Sequence, residues 1–421
     1  MTSHDHPIKT ASDCLGFQMN HAAIHEFYAL RSKYRFIQQA MQFQQPSLKD
    51  MNAAELLTSI ESTIPSDLIS PNQYSLIKSL ASAFTTRITS FFGFETRLNS
   101  PSNSVDYLFA VSSKRGEREE LAQLFLNGSL PQEIRRKAEW EHIGKFVTEW
   151  ANPQSILNKK IPGVWFEFDT TDEQSVTQVP SIFIQTPNLR IDTLEDTDQC
   201  LWVTQTTLPL LTGQPTSAKL EEVFLDTIRK LPEGASVLHV ASMLSRASTG
   251  LRMIIYKIAP DQILPFLVSL GWIDHKDDVA CLLGELQRVS SRIVLHLNIT
   301  EKGVDQNIGF ECAFSKERYN QETNWPEFFD YLISHGACLT EKRDAILRFF
   351  GLDEEQSEQA FTLEDYTAAP RLTASDYTPA LVRYLSHIKV NYTPSKPIEA
   401  KAYPGVRLLG APKTEVDVAV Q

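Results

Sequence analysis

Several side chains in this sequence could do chemistry together if strands brought them onto one surface. Residues 386 to 403, Ser-His-Ile-Lys-Val-Asn-Tyr-Thr-Pro-Ser-Lys-Pro-Ile-Glu-Ala-Lys-Ala-Tyr, read as two alternating runs around a Thr-Pro-Ser-Lys-Pro turn. Period-two alternation puts His387, Lys389 and Asn391 on one face of the first run, and Glu399, Lys401 and Tyr403 on one face of the second. Earlier runs repeat the pattern. In 163–169, Trp165, Glu167 and Asp169 oppose Phe166 and Phe168, and in 236–244, His239, Ala241 and Met243 oppose Leu238 and Val240. Arg252, Ile254 and Tyr256 share a face in 250–258; His296 and Asn298 share one with Val294 in 292–299; Glu311 opposes Phe310 and Cys312. Cations of this kind can neutralise charge that develops on an anion. Aromatic faces attract a cation through their quadrupole, and a buried carboxylate or imidazole can accept a proton.

The elements that would position these residues come in pairs. Runs at 91–98 and 105–112, 163–169 and 180–186, 236–244 and 250–258, 292–299 and 307–314, and the closing hairpin each read as two strands. Helical patterns separate them near 117–127, 132–150, 217–231, 260–270, 276–290, 325–335, 340–350 and 375–385. A long helix over about 20–43, with shorter ones near 52–62 and 72–90, precedes the first pair. His21 and His25 stand at i, i+4 in the long one and read as a surface pair. The expected organisation is a disordered N-terminus (1–12), a helical region (13–88), a domain of strand pairs and helices (89–410) and a tail (411–421). Hairpins joined by helices make an antiparallel sheet. Its mixed face would meet water in an open two-layer α+β sheet. In a closed ten-stranded barrel with helices outside, the same face would line a central chamber.

Composition narrows the function classes. The chain has 421 residues, 42% hydrophobic and 22% charged, as in a globular protein with a substantial core. A formal charge of −12 argues against nucleic acid as a partner. Cys14, Cys200, Cys281, Cys312 and Cys338 are scattered without C-x-x-C spacing and read as reduced thiols. There is no signal-peptide pattern and no apolar run long enough for a bilayer, so a cytoplasmic protein is expected. Asp277-Asp278 lacks the third carboxylate of a D-D-x-x-D motif and opens a helix. Walker A, dinucleotide-loop, H-E-x-x-H and nucleophile-elbow patterns are all absent.

Five successive units of helix, strand, strand and helix resemble the organisation of the ABBA, or PT-barrel, aromatic prenyltransferases. The resemblance covers about residues 90–410 and lies mainly in architecture. It implies a closed ten-stranded antiparallel barrel ringed by helices. It also implies transfer of a prenyl group from an allylic diphosphate, of dimethylallyl or geranyl type, to an aromatic acceptor such as an indole, phenol or peptide side chain. Loose counterparts of the family's strand patterns lie in Leu-Arg-Met-Ile-Ile-Tyr, His-Ile-Lys-Val-Asn-Tyr and Glu-Ala-Lys-Ala-Tyr. On that resemblance, Arg97, Arg252, Lys389 and Lys401 would bind the diphosphate, and Tyr256 and Tyr403 would shield the carbocation. Glu167 and His239 would serve catalysis as acceptor ligand or base, and Trp165 and His296 would bind the acceptor. His239, His296 and Asn298 stand where the family often has further Lys, Arg or Tyr. No protein metal ligands are expected, and Mg2+ is the one cofactor left open.

Two other readings fit the same residues. One is a non-catalytic α+β protein that binds a hydrophobic ligand or peptide. The other is an interaction protein that uses its helical N-terminal region as a partner surface.

Overall fold

A computed structural model describes residues 53–84, 91–114, 116–172, 175–176, 179–246, 250–272, 274–314, 325–354 and 377–412. The expected helix over 20–43, with His21 and His25, lies outside them, as does Cys14.

The strands are β1 (Phe91–Arg97), β2 (Val105–Ser112), β3 (Gly163–Phe168), β4 (Thr170–Asp172), β5 (Ser175–Val176) and β6 (Ser181–Leu189). They continue as β7 (Ser236–Ser242), β8 (Leu251–Tyr256), β9 (Arg292–Thr300), β10 (Gly303–Ala313), β11 (Gly351–Glu354), β12 (Tyr377–Tyr392) and β13 (Glu399–Pro412). Around the sheet, β1, β2, β3, β6, β7, β8, β9, β10, β12 and β13 follow one another in chain order, every pair antiparallel. Two seams close the ring: β1 pairs with β13 (Arg97 opposite Lys401), and β10 pairs with β12 (Glu311 opposite Lys389). Closure removes the sheet edges that an open sheet would leave. The fold is therefore the closed ten-stranded barrel, and the open two-layer sheet is ruled out. The small β4–β5 hairpin stands apart, and β11 pairs with the first half of β12.

Alternation decides which face meets the helices. Phe92, Phe94, Tyr107, Phe109, Phe166 and Phe168 are fully buried on the outer face. They stack on one another and on Phe84 and Trp140, with Phe109 and Phe166 rings 5.0 Å apart. Trp140 belongs to the helix Ala138–Ala151, which buries Trp140, Ile143, Phe146, Val147 and Trp150 at helical spacing. Each fully buried aromatic ring contributes about 1.5–3 kcal/mol relative to exposure, so this layer dominates the first half of the barrel. Local signals set the helix starts: Ser70 caps Pro71–Ala81 through the Gln73 N–H, and Ser217 caps Ala218–Arg229 through the Leu220 N–H.

One element differs from expectation. The segment 375–385, read as a helix, is extended from Tyr377 onward and forms the first half of β12. Its Ala-Leu-Val-Arg-Tyr-Leu run has helix-compatible residues, but β13 pairs with it from Tyr377 to Leu385 and β11 flanks it. Tertiary pairing overrides a weak local preference here. The closing hairpin is consequently about twice as long as its sequence pattern indicated. No helix among the described residues is long and apolar enough to cross a membrane.

Candidate active site

The inner face divides into an apolar wall and an ionic wall. Phe183, Ala241, Met243, Ile254 and Val294 form a buried cluster separate from the main core, with half-buried Trp165 and Tyr256 packed against it. Trp165 also meets the Phe91 ring edge-on at 4.8 Å. The Lys257 ammonium lies 5.9 Å from the Tyr256 ring centroid. Apart from Met243, which directly follows β7, the cluster and the two rings packed on it come from β3, β6, β7, β8 and β9.

The ionic wall begins at the two seams. Arg97, Lys401, Lys389 and Glu311 are successive cross-strand neighbours over β1, β13, β12 and β10, a register that brings such side chains within reach of one another. Arg97 stands at the rim, 39% exposed, with its guanidinium 3.4 Å from Asp106. Lys401 donates to Glu95, as does the Tyr403 hydroxyl. Glu95 is only 2% exposed. Burial alone would raise its carboxyl, but the Lys401 and Lys389 charges and the two hydrogen bonds hold it well below the carboxylate range. Burial and the Glu95 charge push the Tyr403 phenol up, so it stays un-ionised. The His387 ring stacks on Tyr403 at 4.1 Å.

Lys389 differs from the other interior cations. It is 5% exposed, and its ammonium makes no hydrogen bond or ion pair among the described residues. Burial, then the charges of Arg252 and Lys401, pull it down to about 7 against the opposite pull of Glu95 and Glu167. Arg252 spends its Nε–H on Asn298 Oδ1 at 3.0 Å, and no partner engages its two terminal nitrogens among the described residues. Gly309 makes room for Lys389, because a Cβ there would lie 2.9 Å from Lys389 Cε.

Three carboxylates, Asp169, Glu167 and Glu311, complete this wall. Arg246, in the β7–β8 turn, grips Asp169 at 2.5 and 2.9 Å and approaches Glu167 at 3.4 Å. Glu167 is raised by burial and by Glu95, although Arg246, Arg252 and Lys401 oppose the shift. Glu311 meets His296 Nε2 at 3.2 Å, Arg292 at 3.6 Å and His387 at 3.9 Å. Burial would raise Glu311, but His387, His296 and Arg292 hold it well below its usual range. Burial lowers His296 to about 3 and His239 to about 4, so both imidazoles are neutral at pH 7.

The structure thus brings Lys389, Lys401, Arg252, Glu167 and Tyr403 into one electrostatic group. Trp165 and Tyr256 sit on the apolar wall, His296 is tied to Glu311, and Arg97 keeps to the rim. Glu95 and Arg246 were not among the residues selected from sequence. Glu95 alternates with Arg97 in β1, so its face was legible, whereas Arg246 lies in a turn where alternation gives no direction. No group of three or more His, Cys, Asp and Glu side chains among the described residues could hold a metal ion. Glu95, Asp169 and Glu311 each face cations of the protein itself, so this donor set does not fit Mg2+.

No protein-family model matches the chain, and no curated protein matches it. Among solved structures it is similar to the apo form of the prenyltransferase PriB, at 10% identity and a TM-score of 0.47, covering 86% of this chain and 98% of that one. It is also similar to AnaPT from Neosartorya fischeri, at 10% identity and a TM-score of 0.47, covering 86% of this chain and 94% of that one. At that identity no residue role is carried across, and the barrel rests on its own strand pairing.

Proposed function

We propose that the protein transfers a prenyl group from an allylic diphosphate to an aromatic acceptor inside the barrel. The observation that carries this reading is the unpartnered Lys389 ammonium, held inside a closed barrel beside Arg252 and Lys401. A cation in that position lacks its counter-ion, and a diphosphate would supply one. Binding an anion there favours the protonated lysine, so donor binding draws a proton onto Lys389. When the allylic C–O bond breaks, its electron pair leaves with the diphosphate, and these preorganised cations lower the barrier.

The remaining residues suit the other half of the reaction. Tyr256 and Tyr403 offer ring faces to the carbocation, and Tyr403 stays a neutral phenol whose hydroxyl is engaged by Glu95, a poor nucleophile. Phe183, Met243 and Ile254 exclude water that would otherwise capture the cation. The aromatic acceptor forms the new bond and then loses a proton, for which His239, neutral at pH 7, is the proposed acceptor. Glu167, raised by burial, is the proposed ligand for an acceptor N–H or O–H.

Incubation with dimethylallyl or geranyl diphosphate and a panel of indoles, phenols and aromatic peptides, read by mass spectrometry, tests the proposal. A prenylated product is expected, with Lys389→Ala and Arg252→Ala each lowering kcat/KM by at least about 100-fold, or about 2.7 kcal/mol. No product, together with no diphosphate binding by calorimetry, would refute it.

A further inference from the structure

We propose that Lys389 is also a nucleophilic amine that condenses with anionic aldehydes to form an imine inside the barrel. The inference is independent of prenyl transfer and rests on how the side chain is held. Its Nζ has no partner, yet it is not one of the interior polar atoms sealed from solvent, which include His296 Nδ1 and Arg292 Nε. Gly309 leaves the space that the lysine stem occupies.

The groups facing Lys389 explain both its reactivity and its preference. Arg252 on β8 and Lys401 on β13 disfavour a further positive charge. Glu95 on β1 and Glu167 on β3 oppose them, but Lys401 and Tyr403 engage Glu95, and Arg246 is the close partner of Glu167. Glu311, the cross-strand neighbour on β10, is committed to His296, Arg292 and His387. Burial pulls His296 and His387 down, and the Lys389 charge acts on both in the same direction, against the pull of Glu311. An amine beside cations is the arrangement that makes lysine a nucleophile near neutral pH. The free terminal nitrogens of Arg252 would hold the anionic group of the aldehyde. In the step itself, the neutral amine attacks the carbonyl carbon, and one of its N–H protons passes to the carbonyl oxygen to give a carbinolamine. The second N–H proton then passes to that hydroxyl, which leaves as water while the nitrogen lone pair forms the C=N bond, with no oxidant or reductant required.

The test uses the full chain with pyridoxal 5′-phosphate as probe. Borohydride reduces the imine to a stable secondary amine, and peptide mass mapping locates it. An amine titrating near 7 is about half neutral at pH 7, whereas an ordinary lysine near 10.4 is neutral to only about 0.04%. Lys389 should therefore label at least about tenfold faster than the exposed Lys145 and Lys219, with its rate half-maximal near pH 7. Pyridoxal lacking the phosphate should label it more slowly, and Lys389→Arg should remove the adduct. Labelling spread over lysines according to exposure, a rate that rises only above pH 9, or equal labelling by pyridoxal would overturn the proposal. Inorganic pyrophosphate gives a second measurement on the unaltered protein, and should slow labelling of Lys389 while sparing Lys145. Labelling that pyrophosphate does not slow would leave the reactive amine standing and count against the diphosphate site. Prenylation without selective labelling would do the reverse.

Discussion

At the scale of single residues, Glu95 organises the ionic wall. It is a buried carboxylate with two donors, Lys401 and Tyr403, and its charge is felt by Glu167 and Lys389 as well. Removing that charge leaves the half-buried Lys401, its side chain 17% exposed, with no carboxylate on it, a change that costs about 3 kcal/mol, the lower end of the range for a buried pair. Glu95→Gln should therefore lower the stability measured by urea unfolding by about that amount, and an unchanged midpoint would contradict the assignment. Sequence alternation was enough to find Lys389, Lys401, Arg252, Glu167 and Tyr403, because period two fixes the direction of every strand side chain once one face is known. It could not show that Lys389 lacks a partner while Lys401 has one. That difference arises from which strand follows which around the ring, and a single strand does not record its neighbours.

At the scale of elements, the seam between β1 and β13 is a close approach of two backbones. Gly93 faces Gly405 there, and a Cβ on Gly93 would sit 2.7 Å from the Pro404 carbonyl oxygen. Because the obstructing atoms are backbone, Gly93→Ala must displace a strand, and it should cost about 1–3 kcal/mol in chemical denaturation. Gly284 provides the contrast. It lies in the exposed part of the helix Lys276–Val289 with nothing within 4 Å of an added Cβ, so Gly284→Ala should be neutral or stabilising by up to about 1 kcal/mol. Strand pairs and most helices between them were legible from period and turn residues. The helices Ile156–Lys160 and Leu194–Asp198 escaped notice because five residues carry too little periodicity. The first half of β12 was misread because its pattern is ambiguous until β13 and β11 lie beside it.

At the scale of the whole molecule, the half-buried His239 and the buried His296 make the barrel sensitive to acid. His239 is lowered to about 4 and His296 to about 3, whereas both would titrate near 6.5 in the unfolded chain. The unfolded state therefore binds more protons as pH falls below 6.5, and stability is lost from there down towards 4. Asp106 acts in the opposite sense. Burial and the Glu95 charge raise it to about 8, so its contribution is present in acid and disappears as pH rises through 8. Thermal unfolding followed from pH 7 to pH 4 should show a falling midpoint, and His239→Gln should flatten that fall. A midpoint independent of pH over this range would count against burial of these rings.

The ring order, which follows the chain order, has a consequence for how the protein is made. A ribosome delivers β1 first and the closing hairpin last, so β1 and β10 remain as bare edges until residues 377–412 emerge. Until then the nascent chain exposes two unpaired strand edges and an unfilled interior, the features that invite aggregation and chaperone binding. The segment that brings Lys389 and Lys401 is thus also the one that turns an open sheet into a barrel, so the ionic wall and the closed ring are completed together.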